Sequence, residues 1–353
     1  MLPFLFKHVC IESYALYLPE RIVPSVEIEK NFSNFYERLG LPYGTLERLS
    51  GIKERRLFPA DERPSEIATK VAKMAMDKMG ISKDELKAFF NCSVNRDFFE
   101  PAVAVMAHYN LGLSEDSIVM DITNACIGFS DGMVMLANMI ENGIVKAGVV
   151  VTGENISKIT EATCKLLEAK PDIEKAEFLK LMATFTLGSG GAAIVLAHDS
   201  IATSKHRLIG SCSRCASDCN KLCMGNGDFY FNQMVGLNPI MHTDSRQLIA
   251  NAAKVGGRTW ADLSAAIGWS ADDVDNIFCH QVGKVVNDAF YKTMGLQIEK
   301  EYAVYSRLGN MISAAMPAAW FSAADEGYIK EGSKNVLTAF GSGLNTLFSA
   351  VIW

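Results

Sequence analysis

A Gly-Ser-Gly turn followed by a small-residue apolar strand occurs twice in this chain. It reads TLGSGGAAIVLAH at Thr186–His198 and AFGSGLNTLFSAV at Ala339–Val351. A chain that repeats such a signature is constrained to build its second half on the plan of its first. Gly188 and Gly341 lie 153 positions apart, and Cys126 and His280 lie 154 apart. Each of these two residues follows an apolar, strand-like run (SIVMDI and DNIFC) and precedes a helical pattern (SDGMVMLANMIENG and QVGKVVNDAFYKTM). The repeat therefore predicts two α/β halves, 1–197 and 198–353, with Cys126 and His280 at equivalent strand-to-helix turns.

The remaining patterning agrees with that plan. SEIATKVAKMAMDKM has a helical period, with Pro64 at its start and Gly80 as its stop. ELKAFFNCSV, SIVMDI and AGVVVTGEN read as buried strands. Strands alternating with helices predict a largely parallel sheet covered by helices. At 353 residues, 49% apolar and 21% charged, the chain has the composition of a globular protein. A net charge of −6 leaves no basic excess for nucleic acid. No apolar run approaches the length of a transmembrane segment. Nine cysteines, an odd number in a long chain, predict reduced thiols and a soluble, cytoplasmic protein.

Cysteine is by default a small core hydrophobe. Cys126 stands where a helix begins, and there unpaired N–H groups and the helix dipole lower a thiol's pKa. The same N–H groups can hold an oxyanion. Ala125, Gly128 and Ser130 leave room for a substrate. His280 supplies a partner, and Asn310 in SRLGNMISAAMP lies between a strand-like run and an apolar helix. Cys, His and Asn at three such turns form an acyl-transfer constellation. Arg55 and Arg56, in the basic run KERR, are candidates for holding a substrate phosphate. Cys212, Cys215, Cys219 and Cys223 fall within twelve residues. Their spacing is not that of two separated CxxC knuckles, so ordinary thiols rather than a metal site are expected.

DITNACIGF, CHQVGK, RLGNMISAAMP and GSGLN, with SGIKERRLF and TFTLGSGGAAIVL, together resemble the thiolase superfamily in its ketoacyl synthase III branch. That resemblance implies a five-layered αβαβα thiolase fold of two duplicated halves, a homodimer, and a Cys126–His280–Asn310 site acting on thioesters. It calls for no metal or redox cofactor. RDFFEP at Arg96–Pro101 resembles the Arg-Asp-aromatic-x-Glu-Pro stretch of the OleA family, head-to-head acyl-CoA condensing enzymes of olefin biosynthesis. The implied reaction is a non-decarboxylative Claisen condensation of two acyl-CoA thioesters to a β-keto acid through an acyl-cysteine. Glu100 would reach the partner subunit's site as the base, and the backbone N–H groups of Cys126 and Ser342 would hold the oxyanion. Downstream pathway enzymes are further candidate partners. GTLERLSGI lacks the Trp with which other members of the synthase III branch hold the CoA adenine. Two other readings are a β-ketoacyl-ACP synthase III using malonyl-ACP and a non-catalytic or metal-binding subunit on the same scaffold.

Overall fold

The computed structural model describes residues 3–225 and 241–353. Nine principal strands are β1 (Val9–Tyr17), β2 (Leu86–Asn91), β3 (Ile118–Asp121), β4 (Ala147–Glu154), β5 (Gly190–His198), β6 (Arg207–Cys215), β7 (Asn276–Cys279), β8 (Lys334–Gly341) and β9 (Asn345–Ile352). Six helices cover them: α1 (Pro64–Met76), α2 (Val103–Asn110), α3 (Gly128–Glu141), α4 (Ser245–Ile267), α5 (Lys284–Met294) and α6 (Ala315–Asp325).

Side-chain alternation sorts these elements into five layers. Along β5, Ala192, Ile194 and Leu196 face an inner core, whereas Ala193, Val195 and Ala197 face α1 and α2. Along β9, Leu347 and Val351 face the same inner core, and Phe348 and Ala350 face the outer core beneath α4. Helices α3 and α6 fill the middle, sandwiched between the two halves of the sheet. Strands buried on both faces need apolar residues at every position, and β4 and β5 accordingly read as continuous apolar runs.

The strands join in the order β7-β8-β9-β6-β1-β5-β4-β2-β3, with Phe4–Leu5 paired to β6. One residue pair, Cys10 with Arg207, joins β1 to β6. On either side of that joint the pairings repeat. β2 runs parallel to β3 and β4, and β4, β5 and β1 pair antiparallel. Likewise β7 runs parallel to β8, β8, β9 and β6 pair antiparallel, and Glu301 bridges parallel to Ile277 where β3 would lie.

The sheet is mixed rather than largely parallel, because both halves fold back through antiparallel pairs, and the topology corrects three further expectations. Because β7 matches β2, His280 is equivalent to Cys92, the residue that follows β2. The turn equivalent to that of Cys126, ahead of α3, is the Asn310 turn ahead of α6. Their separation is 184 positions, so the constant offset failed where connections of unequal length intervene. Second, SIVMDI is not a buried strand: β3 is the outermost strand, with Ile118 37% and Met120 38% exposed. Third, the run before Asn310 is a single helical turn, Tyr305–Leu308, not a strand. Among the described residues no helix is long and apolar enough to cross a membrane.

Trp320 of α6 is fully buried in the middle layer, with ring centroids 5.1 Å from Phe321 and 5.9 Å from Trp353. Trp320→Ala should cost about 3–5 kcal/mol, read from the midpoint of equilibrium denaturation. A loss below about 1 kcal/mol would mean that the middle layer does not depend on this side chain.

Candidate active site

The carboxyl ends of the parallel strands, where open α/β sheets place their ligands, carry every residue of the expected constellation except Asn310. Cys126 lies on the turn between β3 and α3. Ala125 just before it holds φ at +48°, a left-handed conformation that non-glycine residues seldom adopt and that clusters at functional turns. Two glycines let α3 approach β2. A Cβ on Gly128 would lie 2.7 Å from the Cys92 carbonyl oxygen, and one on Gly132 would lie 2.4 Å from the Cys92 sulfur.

The second Gly-Ser-Gly loop braces this turn. A Cβ on Gly341 would lie 3.2 Å from the Ile127 amide nitrogen. Asn345 donates from Nδ2 to Asn124 Oδ1 at 3.0 Å and to the Ser342 carbonyl at 3.3 Å. Asn124 in turn donates to Asp131 at 2.8 Å. The Ser342 loop is thereby held against the Cys126 turn.

The first Gly-Ser-Gly loop braces Asn310 in the same way. The Asn310 amide donates to the Thr186 carbonyl and the Gly188 amide donates to the Asn310 carbonyl, both at 2.9 Å. A Cβ on Gly188 would lie 2.0 Å from the Leu308 carbonyl oxygen. Gly309, at φ +68°, faces the Thr186 carbonyl, which a Cβ would approach to 2.8 Å. Asn310 Oδ1 accepts from the Ile312 amide at 3.0 Å, which fixes the side chain.

His280 follows β7, its amide donating to Thr338 O at 2.9 Å. The ring is 3% exposed and its Nδ1 has no hydrogen-bond partner among the described residues. Burial pushes its pKa down to about 4, so the imidazole is neutral near pH 7. A neutral ring can donate one N–H to a substrate oxygen without bringing a charge into the site.

The half-buried Cys126 departs from its expected electrostatics. Its pKa is raised, first by burial and then by the neighbouring Cys223 and Glu154. Desolvation outweighs the helix N-terminus, so the Cys126 side chain rests as a thiol.

Glu100 is exposed, on the loop between β2 and α2. The ends of that loop are held firmly. Asp97 accepts from the Ser65 amide at 3.0 Å and hydroxyl at 2.6 Å, and Asp121 accepts from the amides of Val103 and Ala104 at 3.0 and 2.9 Å. In the single chain Glu100 faces solvent.

One expectation changes at this point. Arg55 is 1% exposed and donates to the Val23 carbonyl and the Ser25 hydroxyl, both at 2.9 Å. Burial lowers its pKa to about 10. Its charge braces the fold and cannot reach a substrate phosphate. Arg56 is half-buried and donates to the Pro19 carbonyl at 2.9 Å. The four clustered cysteines diverge: Cys212 and Cys219 are buried, Cys215 is exposed, and Cys223 is half-buried near Cys126. Among the described residues, the group close enough to share an ion is His8, His198 and Asp199, at the start of β1 and the end of β5. Sequence reasoning missed Glu154, a buried acid ending the apolar run of β4. An acid closing a strand that is otherwise buried on both faces was the available signal.

Residues 120–216 match the family model described as 3-oxoacyl-[acyl-carrier-protein] synthase III, and 264–353 match its C-terminal counterpart. An acyl-CoA:acyl-CoA alkyltransferase of Xanthomonas campestris is 32% identical over 99% of this chain and 100% of its own length. That of Shewanella oneidensis is 33% identical over 99% of each. The chain belongs to this alkyltransferase family. A crystal structure of Xanthomonas campestris OleA with bound lauric acid and lauroyl-CoA superposes with a TM-score of 0.92 at 32% identity, covering 99% of this chain and 100% of that one. A β-ketoacyl-[acyl-carrier-protein] synthase III of Listeria innocua is 27% identical over 93% of each chain. The alkyltransferase-family fold thus carries the Asn310 turn on a glycine contact that tolerates no side chain. Gly188→Ala should lower stability by about 2–3 kcal/mol in chemical denaturation, and a neutral result would refute that contact.

Proposed function

We propose that this protein condenses two acyl-CoA thioesters head to head, with Cys126 as the acyl-accepting nucleophile. The observation that carries the proposal is the reciprocal bracing of the Cys126 and Asn310 turns by the two Gly-Ser-Gly loops, with a buried, neutral His280 at the carboxyl end of β7. The alkyltransferases and the OleA structure with lauroyl-CoA support the same substrate class. The two halves of the chain, 1–197 and 198–353, meet at this site.

In the first step the Cys126 sulfur attacks a thioester carbonyl. The carbon–sulfur bond to CoA breaks, and the thiol proton leaves with CoA. Backbone N–H groups of Cys126 and Ser342 hold the oxyanion. A second acyl-CoA then loses an α-proton to Glu100 of the opposite subunit, while His280 and Asn310 hold the enolate oxygen. The carbanion attacks the acyl-cysteine carbonyl. A carbon–carbon bond forms, the bond to Cys126 breaks, and the thiolate is released and reprotonated. Water then cleaves the condensed thioester, giving the β-keto acid and the second CoA. The sequence requires no metal or redox group, and its acyl-CoA substrates are those of the cytoplasm.

The apolar edge supports a homodimer. Ile118 and Met120 on β3, Val105 and Tyr109 on the adjoining α2, and Phe99 beside Glu100 are all exposed in the single chain. Open apolar strand edges are normally paired or covered. A second copy pairing along β3 would bury this face and remove Glu100 from water, strengthening it as a base.

Co-expression of two differently tagged variants, Cys126→Ala and Glu100→Gln, tests these assignments. Each variant alone should lose at least about 100-fold in condensation rate. The purified heterodimer should regain activity through its one intact site, leaving roughly a quarter of all sites active in a random mixture. An inactive but folded heterodimer would refute the shared site.

A further inference from the structure

Glu154 has no part in the reaction above, yet it ties the root of the Glu100 loop to the Asn310 turn. It ends β4 fully buried, with no exposed surface. One carboxylate oxygen accepts from the Val94 amide at 2.8 Å and the other from the Asn95 amide at 3.1 Å. Those amides root the loop that carries Glu100. The Ser313 hydroxyl, on the turn that carries Asn310, donates to Glu154 as well. Thr152 in turn hydrogen-bonds to Ser313. Among the described residues, the titratable groups facing Glu154 are thiols: Cys126 from the turn before α3 and Cys92, which follows β2. Cys126 is also faced by Cys223 from the strand Cys223–Gly225.

We propose that Glu154 is a positioning residue that clamps the Glu100 loop to the Asn310 turn and whose charge adds to the opposition that burial sets against ionisation of the Cys126 thiol. Three donors hold the carboxylate in place, and a negative charge beside a thiol opposes thiolate formation. Burial lifts the Glu154 pKa to about 7, against the pull of those donors. Its charge therefore changes within the working pH range, and the thiol responds to that change. Protonated Glu154 eases formation of the thiolate, and ionised Glu154 suppresses it. The inference rests on Cys126 being the nucleophile, but its test needs no turnover.

The test is the rate of Cys126 alkylation by iodoacetamide over roughly pH 6–9, read peptide by peptide by mass spectrometry. In the unmodified protein the rate should climb about tenfold per pH unit but flatten around pH 7, losing about two- to tenfold across the step. In Glu154→Gln the flattening should vanish, and the rate near pH 8 should rise by that same factor. Ser313→Ala removes a donor to the carboxylate, which raises its pKa, so the flattening should move to higher pH. A merely structural Glu154 would leave the profile of a folded variant unchanged. An unbroken profile in the unmodified protein, a break that survives Glu154→Gln, or one unmoved by Ser313→Ala would each overturn the proposal. Acylation of Cys126 by acyl-CoA, followed in the same samples, reports separately on the nucleophile. Its absence would remove the functional reading, whereas its persistence with an unaltered profile would remove only this one.

Discussion

The whole site depends on one reciprocal contact. The first Gly-Ser-Gly loop, which opens β5, is pressed against the Asn310 turn. The second, which closes β8, is pressed against the Cys126 turn. Each half of the chain therefore holds the reactive turn of the other. The approach is close enough that Gly188 and Gly309 meet backbone carbonyls where any other residue would carry a Cβ. Neither half can present its turn correctly without the other, which places the site at the joint between two repeats. The pseudo-symmetric loops of a duplicated fold cross here, at the candidate site.

The sequence carried much of this. The Gly-Ser-Gly echo disclosed the duplication, and apolar runs such as AGVVVTGE marked strands buried on both faces. Cys126 and Asn310 were recognisable as turns ahead of helices. What the sequence could not show depended on packing. The equivalence of Cys126 with Asn310 was hidden by connections of unequal length, so a constant offset paired Cys126 with His280 instead. The edge position of β3 was invisible, because an apolar strand awaiting a partner reads like one already buried. Arg55 read as a candidate for a substrate phosphate, since charge in a sequence says nothing of the carbonyl and hydroxyl that receive it inside the fold.

Electrostatics give the site its character. His280 is neutral and Cys126 is held as a thiol, both because burial disfavours charge. Such a site discourages reaction of the free cysteine until a substrate displaces water and a thioester carbonyl meets the sulfur. Glu154, with a pKa near 7, is the group beside the sulfur whose charge changes most easily around neutrality. Glu100 stays in water in the single chain, and the covering that the proposed dimer brings would strengthen it as a base. In the proposed dimer, assembly would complete a site whose groups the single chain keeps mild.

The most direct measurement of the central claim is the stoichiometry of a reaction supplied with one acyl-CoA and no malonyl donor. The account predicts two CoA released for each β-keto acid formed, no carbon dioxide in the condensation, and an acyl adduct on Cys126 during turnover. A protein that becomes acylated but forms no carbon–carbon bond until a malonyl thioester is added would contradict it.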